Sequence, residues 1–169
     1  MDMNRMTIKL QEALQSASAL AMRRGHQGID VEHLLLVLME QEGGIAGSLF
    51  EQAGVSPAAV RQAAEQALTK VAQVHGPGAA PGQIHPTPRL SSLLTKAEDR
   101  MKELRDEFVS VEHIILAMVE EGGIFRRLNL THERLLTALQ QVRGNQRVTS
   151  QDPEGTYQAL EKYGRDLTK

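Results

Sequence analysis

The 169-residue chain has no cysteine and no tryptophan, and only 3 phenylalanines and 2 tyrosines. Without cysteine there is no disulfide scaffold, no thiol nucleophile and no cysteine-ligated zinc or iron–sulfur site. With so few aromatics, a core must be built from Leu, Ala, Val, Ile and Met, a palette that favours helix over sheet. Charge of one sign is missing as well. The 19 Lys and Arg stand against 21 Asp and Glu, a formal −2, so no general positive field points to nucleic acid or an anionic membrane as partner. No apolar run approaches the roughly 20 residues of a bilayer span, and the polar start Met1-Asp2-Met3-Asn4-Arg5 is no secretory signal. These absences lead us to expect a soluble, cytoplasmic chain with one domain-sized unit and an appendage.

What is present is helical periodicity. Met6, Leu10, Ala13, Leu14, Ala17 and Ala21 recur at three- and four-residue steps and predict a first helix that Gly25 stops. Asp30 is placed to cap a second, almost wholly apolar helix over Val31 to Met39, closed by Gly43-Gly44. A short helix at Ile45 to Glu51 and a longer one from Pro57, capped by Ser56, to about Lys70 complete a four-helix unit. Residues 71–86 carry Gly76-Pro77-Gly78-Ala79-Ala80-Pro81-Gly82 and read as a flexible connector. Thr87-Pro88 then opens a fifth helix, and Ser110 caps a sixth over Val111 to Glu120. Ile124 to Leu128 is a short segment, and Thr131 opens a last helix through Val142.

The second half repeats the first. At an offset of 80, positions 7–39 and 87–119 share eight identical pairs in 33. These are Thr7/Thr87, Leu10/Leu90, Leu14/Leu94, Ala17/Ala97, Val31/Val111, Glu32/Glu112, His33/His113 and Leu36/Leu116. The matches fall on caps and apolar positions, and two copies suit a paired architecture rather than a solenoid. The expected fold is therefore all-α, a pseudo-twofold tandem repeat of two four-helix units: repeat 1 over about 5–70 and repeat 2 over about 87–143. A polar linker at 144–156 and a short C-terminal helix at 157–169 follow, and the chain reads as part of something longer.

No combination of residues supports catalysis. The six histidines fall in different elements without a two-histidine metal motif, and no glycine-rich turn follows a strand to hold phosphate. His33 and His113 recur at about the third helical position after a cap, where packing in a helix contact is the ordinary role. Glu32 and Glu112 lie in first turns, where a carboxylate complements the unsatisfied amides. The same pair also reads as symmetric acceptors for a guanidinium, an ammonium or extended-peptide amides, and both readings stand. Thr7 and Thr87 are placed as N-caps. Asp106 breaks the repeat, standing where the first copy has His26, within a run that a solvated helix end would also show.

The repeated Val-Glu-His-Leu-Leu-Leu (Val31 to Leu36) and Val-Glu-His-Ile-Ile-Leu (Val111 to Leu116), each followed by Gly-Gly, resemble the twofold repeat of the Clp N-terminal domain. Tyr157 to Thr168 is similar to the segment leading into the first ATPase module of ClpB-type disaggregases. The resemblance implies a non-enzymatic domain that binds unfolded or aggregated polypeptide in a partly apolar groove before an ATPase ring threads it. It implies no cofactor in this domain, with ATP and Mg²⁺ in ATPase modules outside this chain. The full-length protein would be a hexamer and the isolated domain a monomer, with adaptor proteins as possible further partners and neither nucleic acid nor membrane. The residues it ties to substrate handling match Thr7, Asp106 and Glu112, with Thr87 as the symmetric partner of Thr7 and Glu32 as that of Glu112. Asp106 and Glu112 are expected at a groove edge. In ClpC-type relatives, carboxylates resembling Glu32 and Glu112 receive phosphorylated arginine, which makes a ClpC-like adaptor-docking or phosphoarginine-recognition module the alternative.

Overall fold

A computed structural model of the chain describes residues 3–41, 44–71, 84–144 and 148. Among these residues the periodic stretches form eight α-helices: α1 (Ile8–Arg23), α2 (Val31–Glu40), α3 (Ala46–Gln52), α4 (Pro57–Thr69), α5 (Pro88–Glu103), α6 (Val111–Glu121), α7 (Ile124–Arg127) and α8 (His132–Arg143). The caps explain the starts. Thr7, Ser56, Thr87 and Thr131 each accept a hydrogen bond from the backbone N–H three residues on, satisfying a donor that the helix itself leaves open. At α2 and α6 the capping is reciprocal in an unusual way: His33 and His113 use Nδ1 to accept the N–H of Asp30 and Ser110 at 2.9 and 2.8 Å. The repeated histidines are thus parts of two helix caps.

The ends of α1 and α5 match as well. His26 N–H reaches Ala21 O at 2.9 Å and Asp106 N–H reaches Met101 O at 3.0 Å. Both turns pass through a left-handed residue, Gly25 at φ 69° and Arg105 at φ 59°. Beyond α6 the second copy is five residues shorter, and correspondence resumes at an offset of 75: Gly54 (φ 84°) with Asn129 (φ 56°), and Ser56 with Thr131. Phe50 and Phe125 are related by the same offset and stack on each other, ring centres 5.6 Å apart and planes 24° apart. Equivalent residues that touch each other lie on the approximate twofold axis.

α2 and α6, apolar nearly all round, are the buried centre, and each packs on the first and last helices of its own copy. α3 packs on α8 and α7 on α4, so the short helix of each copy rests on the last helix of the other. The backbone exchanges partners too. β1 (Gly28–Ile29), just before α2, pairs in parallel with β2 (His85–Pro86), just before α5. Its counterpart joins Met6 to Val109, with Thr7 N–H to Val109 O at 2.9 Å and Val109 N–H to Arg5 O at 2.8 Å. We call these joints seam 1 (β1 with β2) and seam 2 (Met6 with Val109).

Two differences from the expected organisation stand out. The last residues of the expected connector, His85 and Pro86, are a strand, because the backbone amides entering α5 need partners that Gly28 and Ile29 supply; residues 72–83 lie outside the described residues. Within the expected linker, Val148 is completely buried. Its N–H donates to Asp106 Oδ1 at 2.8 Å and its carbonyl accepts Glu107 N–H at 2.7 Å. The chain is therefore fixed to the domain at that point. The expected C-terminal helix lies outside the described residues.

Candidate functional site

Thr7, Glu32, Thr87, Asp106 and Glu112 each sit at one of the two seams. At seam 2, Thr7 caps α1 and pairs with Val109, while Asp106 and Glu112 converge on one guanidinium at the end of α8. Arg143 Nη1 donates to Glu112 Oε2 at 2.7 Å and to Asp106 Oδ2 at 3.0 Å, and Nη2 donates to Asp106 Oδ1 at 2.8 Å. The carboxylate side chains are 0 % exposed and Arg143 is 8 %. Because His113 Nδ1 accepts from Ser110 N–H, its proton lies on Nε2, which donates to Asp106 Oδ2 at 2.7 Å. Ser110 Oγ donates to Glu112 Oε1 at 2.8 Å. Burial alone would raise the Asp106 carboxyl, but hydrogen bonds from His113, Arg143 and the Val148 amide outweigh it and hold it down at about 2. The expected groove-edge placement of Asp106 and Glu112 is corrected here: both are inside, because removing two carboxylates from water requires the donors that Arg143, His113 and Ser110 provide.

Seam 1 uses different chemistry at the same places. His33 Nδ1 accepts from Asp30 N–H, so its Nε2–H donates to His26 Nδ1 at 2.7 Å. The His26 proton then sits on Nε2, a buried atom with no hydrogen-bond partner among the described residues. Burial and the neighbouring His26, opposed by Asp30, push His33 down to about 4; burial and the charge of Arg24 lower His26. The position equivalent to Arg143 is Leu68 in α4, and among the described residues of its own copy Glu32 finds no cation. It takes one from the other: Arg89 Nη1 donates to both Glu32 oxygens at 2.8 Å, and Arg89 Nε donates to Glu121 Oε1 at 2.7 Å. Although burial opposes its charge, the bonds to Glu32 and Glu121 raise the Arg89 pKa. Thr87 Oγ1 donates to Asp30 Oδ1 at 3.1 Å. A Cβ on Gly28 would come within 2.9 Å of the Thr87 methyl, so the joint is as tight as a glycine allows.

Seam 1 is also the wetter joint. The Arg89 side chain is 37 % exposed, against 8 % for Arg143. Beside it lies a narrow crevice between the two copies, with a free volume of only about 10 Å³, lined by Val31, Glu32, Leu35 and Arg89 on one side and by Met118, Glu121, Gly122, Gly123, Ile124 and Phe125 on the other. Its walls are mostly apolar, with one acid–base pair at the rim. Among the described residues no group of three or more His, Asp or Glu is placed to hold a metal ion, and no helix is long and apolar enough to cross a membrane.

Sequence reasoning missed both arginines. Arg143 carries a signal: Leu135, Leu139 and Arg143 recur every four residues, so the arginine continues a buried stripe and calls for a buried acid. The unmatched Asp106 is that acid. Arg89 matches Lys9 at the offset of 80 and has no such signal.

Residues 5–131 match the family described as the Clp repeat (R) N-terminal domain. The chain is 48 % identical over 171 residues to the chaperone protein ClpB of Bacillus cereus, an alignment covering 99 % of this chain and 20 % of that protein. The chain thus spans about one fifth of the length of the curated relatives it matches. Among solved structures it is similar to the Hsp104 N-terminal domain from Candida albicans, with TM-score 0.72, 20 % identity, and 88 % of this chain and 98 % of that one covered. It is also similar to a ClpV N-domain in complex with a VipB peptide, with TM-score 0.66, 21 % identity, and coverage of 81 % and 86 %.

Proposed function

Since the chain belongs to the Clp repeat (R) N-terminal domain family, we propose that it is the substrate-binding N-terminal domain of a ClpB-type ATP-dependent disaggregase. It takes unfolded or aggregated polypeptide on its surface before an ATPase ring threads it. In this reading the domain binds and does no chemistry. ATP and Mg²⁺ belong to the ATPase modules of a cytoplasmic hexamer, and adaptor proteins are further partners. The observation that carries the reading is likeness to chaperones named ClpB along 99 % of the chain.

We place that task at the crevice beside seam 1, where the two copies leave an opening with apolar walls and a charged rim. Val31, Leu35, Met118, Ile124 and Phe125 form its buried apolar floor, which side chains of an unfolded polypeptide reach once the crevice widens, and Glu32 with Arg89 offers an acceptor and a donor at its rim. Of the five residues tied to substrate handling, Glu32 lines the crevice directly and Thr87 holds Asp30 beside it. Thr7, Asp106 and Glu112 bear on binding from seam 2 by fixing how the two copies meet. The complex of a ClpV N-domain with a VipB peptide supports a peptide ligand on this fold.

The arginines weigh against the ClpC-like alternative. An incoming phosphorylated arginine would have to displace Arg89 from Glu32 or Arg143 from Glu112, and the second carboxylate is closed to solvent. Chemical-shift mapping with a reduced and alkylated, permanently unfolded protein tests the proposal. Shifts are expected at Val31, Leu35, Met118 and Phe125. Shifts confined to other faces, or displacement of the unfolded protein by free phosphoarginine at similar concentration, would overturn it.

A further inference from the structure

The contact between Asp106 and Val148 has a role that polypeptide binding does not explain. α8 ends at Arg143, Gly144 turns with φ 59°, and Val148 lies against the loop between α5 and α6. There Val148 makes a two-bond ladder, donating to Asp106 Oδ1 at 2.8 Å and accepting Glu107 N–H at 2.7 Å, with its side chain fully buried. The same oxygen of Asp106 receives Arg143 Nη2 at 2.8 Å, and the other oxygen receives His113 Nε2 at 2.7 Å. One carboxylate therefore ties together the cap of the central helix α6, the end of the last helix, and the backbone of the chain as it leaves.

We propose that Asp106 is a docking anchor for the exiting chain, and that making or releasing its contact with Val148 sets the length of the tether between this domain and whatever follows it. The break in the repeat has its reason here. In the first copy the equivalent His26 spends Nδ1 on His33 and carries its proton on Nε2, so it has no acceptor left for a backbone amide. An aspartate at 106 supplies two oxygens with four lone-pair sites, enough for His113, Arg143 and Val148 together. Docked, the chain has a fixed point at Val148. Released, its last fixed point is Arg143 at the end of α8, five residues earlier, which corresponds to up to about 17 Å of extended chain. The anchor thereby controls how far the domain reaches, whatever the domain binds.

Amide exchange on the ¹⁵N-labelled chain tests this. In the unaltered protein the Glu107 and Val148 amides are expected to be protected although Glu107 itself is exposed. Val148→Pro removes the exit amide and leaves the carboxylate–arginine–histidine cluster in place. The Glu107 amide should then exchange about tenfold or more faster, as loss of a charge-assisted hydrogen bond implies, while the α6 and α8 amides keep their rates. The absence of native cysteine allows a clean pair of spin labels at Lys102→Cys and Lys169→Cys. Their distance distribution should lengthen and broaden in Val148→Pro. Free exchange of the Glu107 and Val148 amides in the unaltered protein, unchanged rates and distances in the variant, or unfolding of the whole domain by Val148→Pro would each overturn the proposal, the last because Val148 would then belong to the fold rather than to a releasable contact.

Discussion

Seams 1 and 2 occupy equivalent places in a duplicated fold and carry the same Glu and His at the start of a central helix, yet one is a dry ionic cluster and the other a neutral histidine pair with a half-exposed ion pair beside it. Two exchanges account for this: His26 against Asp106, and Leu68 against Arg143. They belong together. Asp106 inside the domain needs a cation, and an arginine in α8 needs an acid. Leu68 in α4 leaves Glu32 to find its cation in the other copy, at Arg89, near the surface. Duplicated structures can thus keep a backbone joint and change its polarity, provided that charge is introduced or removed in pairs.

The largest expected effect comes from breaking one pair only. Arg143→Leu, which copies Leu68, leaves two buried carboxylates unpaired and should cost about 3–5 kcal/mol. The midpoint of urea unfolding should fall with little change in slope. Adding Asp106→His, which copies His26, and Glu112→Gln, which removes the remaining buried charge, should recover most of that loss. A triple variant as unstable as the single one would show that the two seams are not interchangeable.

Acid separates them next. His33 is held down to about 4 against an ordinary 6.5, so the unfolded chain takes up its proton first. Seam 1 is therefore fully stabilising above about pH 6.5 and is lost as pH falls toward 4, on the order of 2 kcal/mol by pH 5 from this residue alone. Protonation of His33 puts a hydrogen on Nδ1, against the Asp30 N–H that this nitrogen accepts, and so breaks the cap of α2. Asp106, held at about 2, keeps seam 2 intact until pH falls below its ordinary 3.8. Amide signals at the start of α2 should shift and broaden as pH falls from about 5 toward 4, while those at the start of α6 stay sharp. Simultaneous broadening would break the comparison.

Arg89→Ala should cost about 1–2 kcal/mol, between the values for exposed and buried pairs, because water reaches Glu32 and takes over part of the bonding. Thermal melting is sufficient to measure it, and a loss as large as that of Arg143→Leu would mean that exposure is not what distinguishes the joints. The smallest effect concerns the turns before the seams. Arg105 holds the left-handed conformation that its counterpart Gly25 adopts freely. Arg105→Gly should stabilise by about 0.5 kcal/mol, and Gly25→Ala should destabilise by about 1 kcal/mol.

Caps, glycines and apolar periods made the eight helices and the duplication legible, since these signals are local and each sits within a turn of what it specifies. The seams were not legible in the same way. Met6 with Val109, and Gly28 with His85, are contacts across scores of residues made by the backbone, and two-residue strands have no alternation to read. The Thr, Glu and His residues of the candidate site were found because the repeat marked them. Their partners were hidden because Arg89 stands against Lys9 and Arg143 against Leu68, neither an identical pair, and repetition highlights only what is kept. Asp106 was noticed as an exception, but its burial followed from an arginine on the buried stripe of a helix 37 residues away.

The crossed backbone pairing has one more consequence. Each copy lends its leading strand to the other and rests its short helix on the other's last helix, with Phe50 against Phe125 on the axis. That is the geometry of a domain-swapped homodimer fused into a single polypeptide. A half produced alone would have an unpaired edge and an uncovered aromatic face, and the surface complementary to both would be on a second molecule of the same half. Two fragments separated within residues 72–83 should therefore find each other and reassemble, with the intact chain differing from the reconstituted pair chiefly in effective concentration.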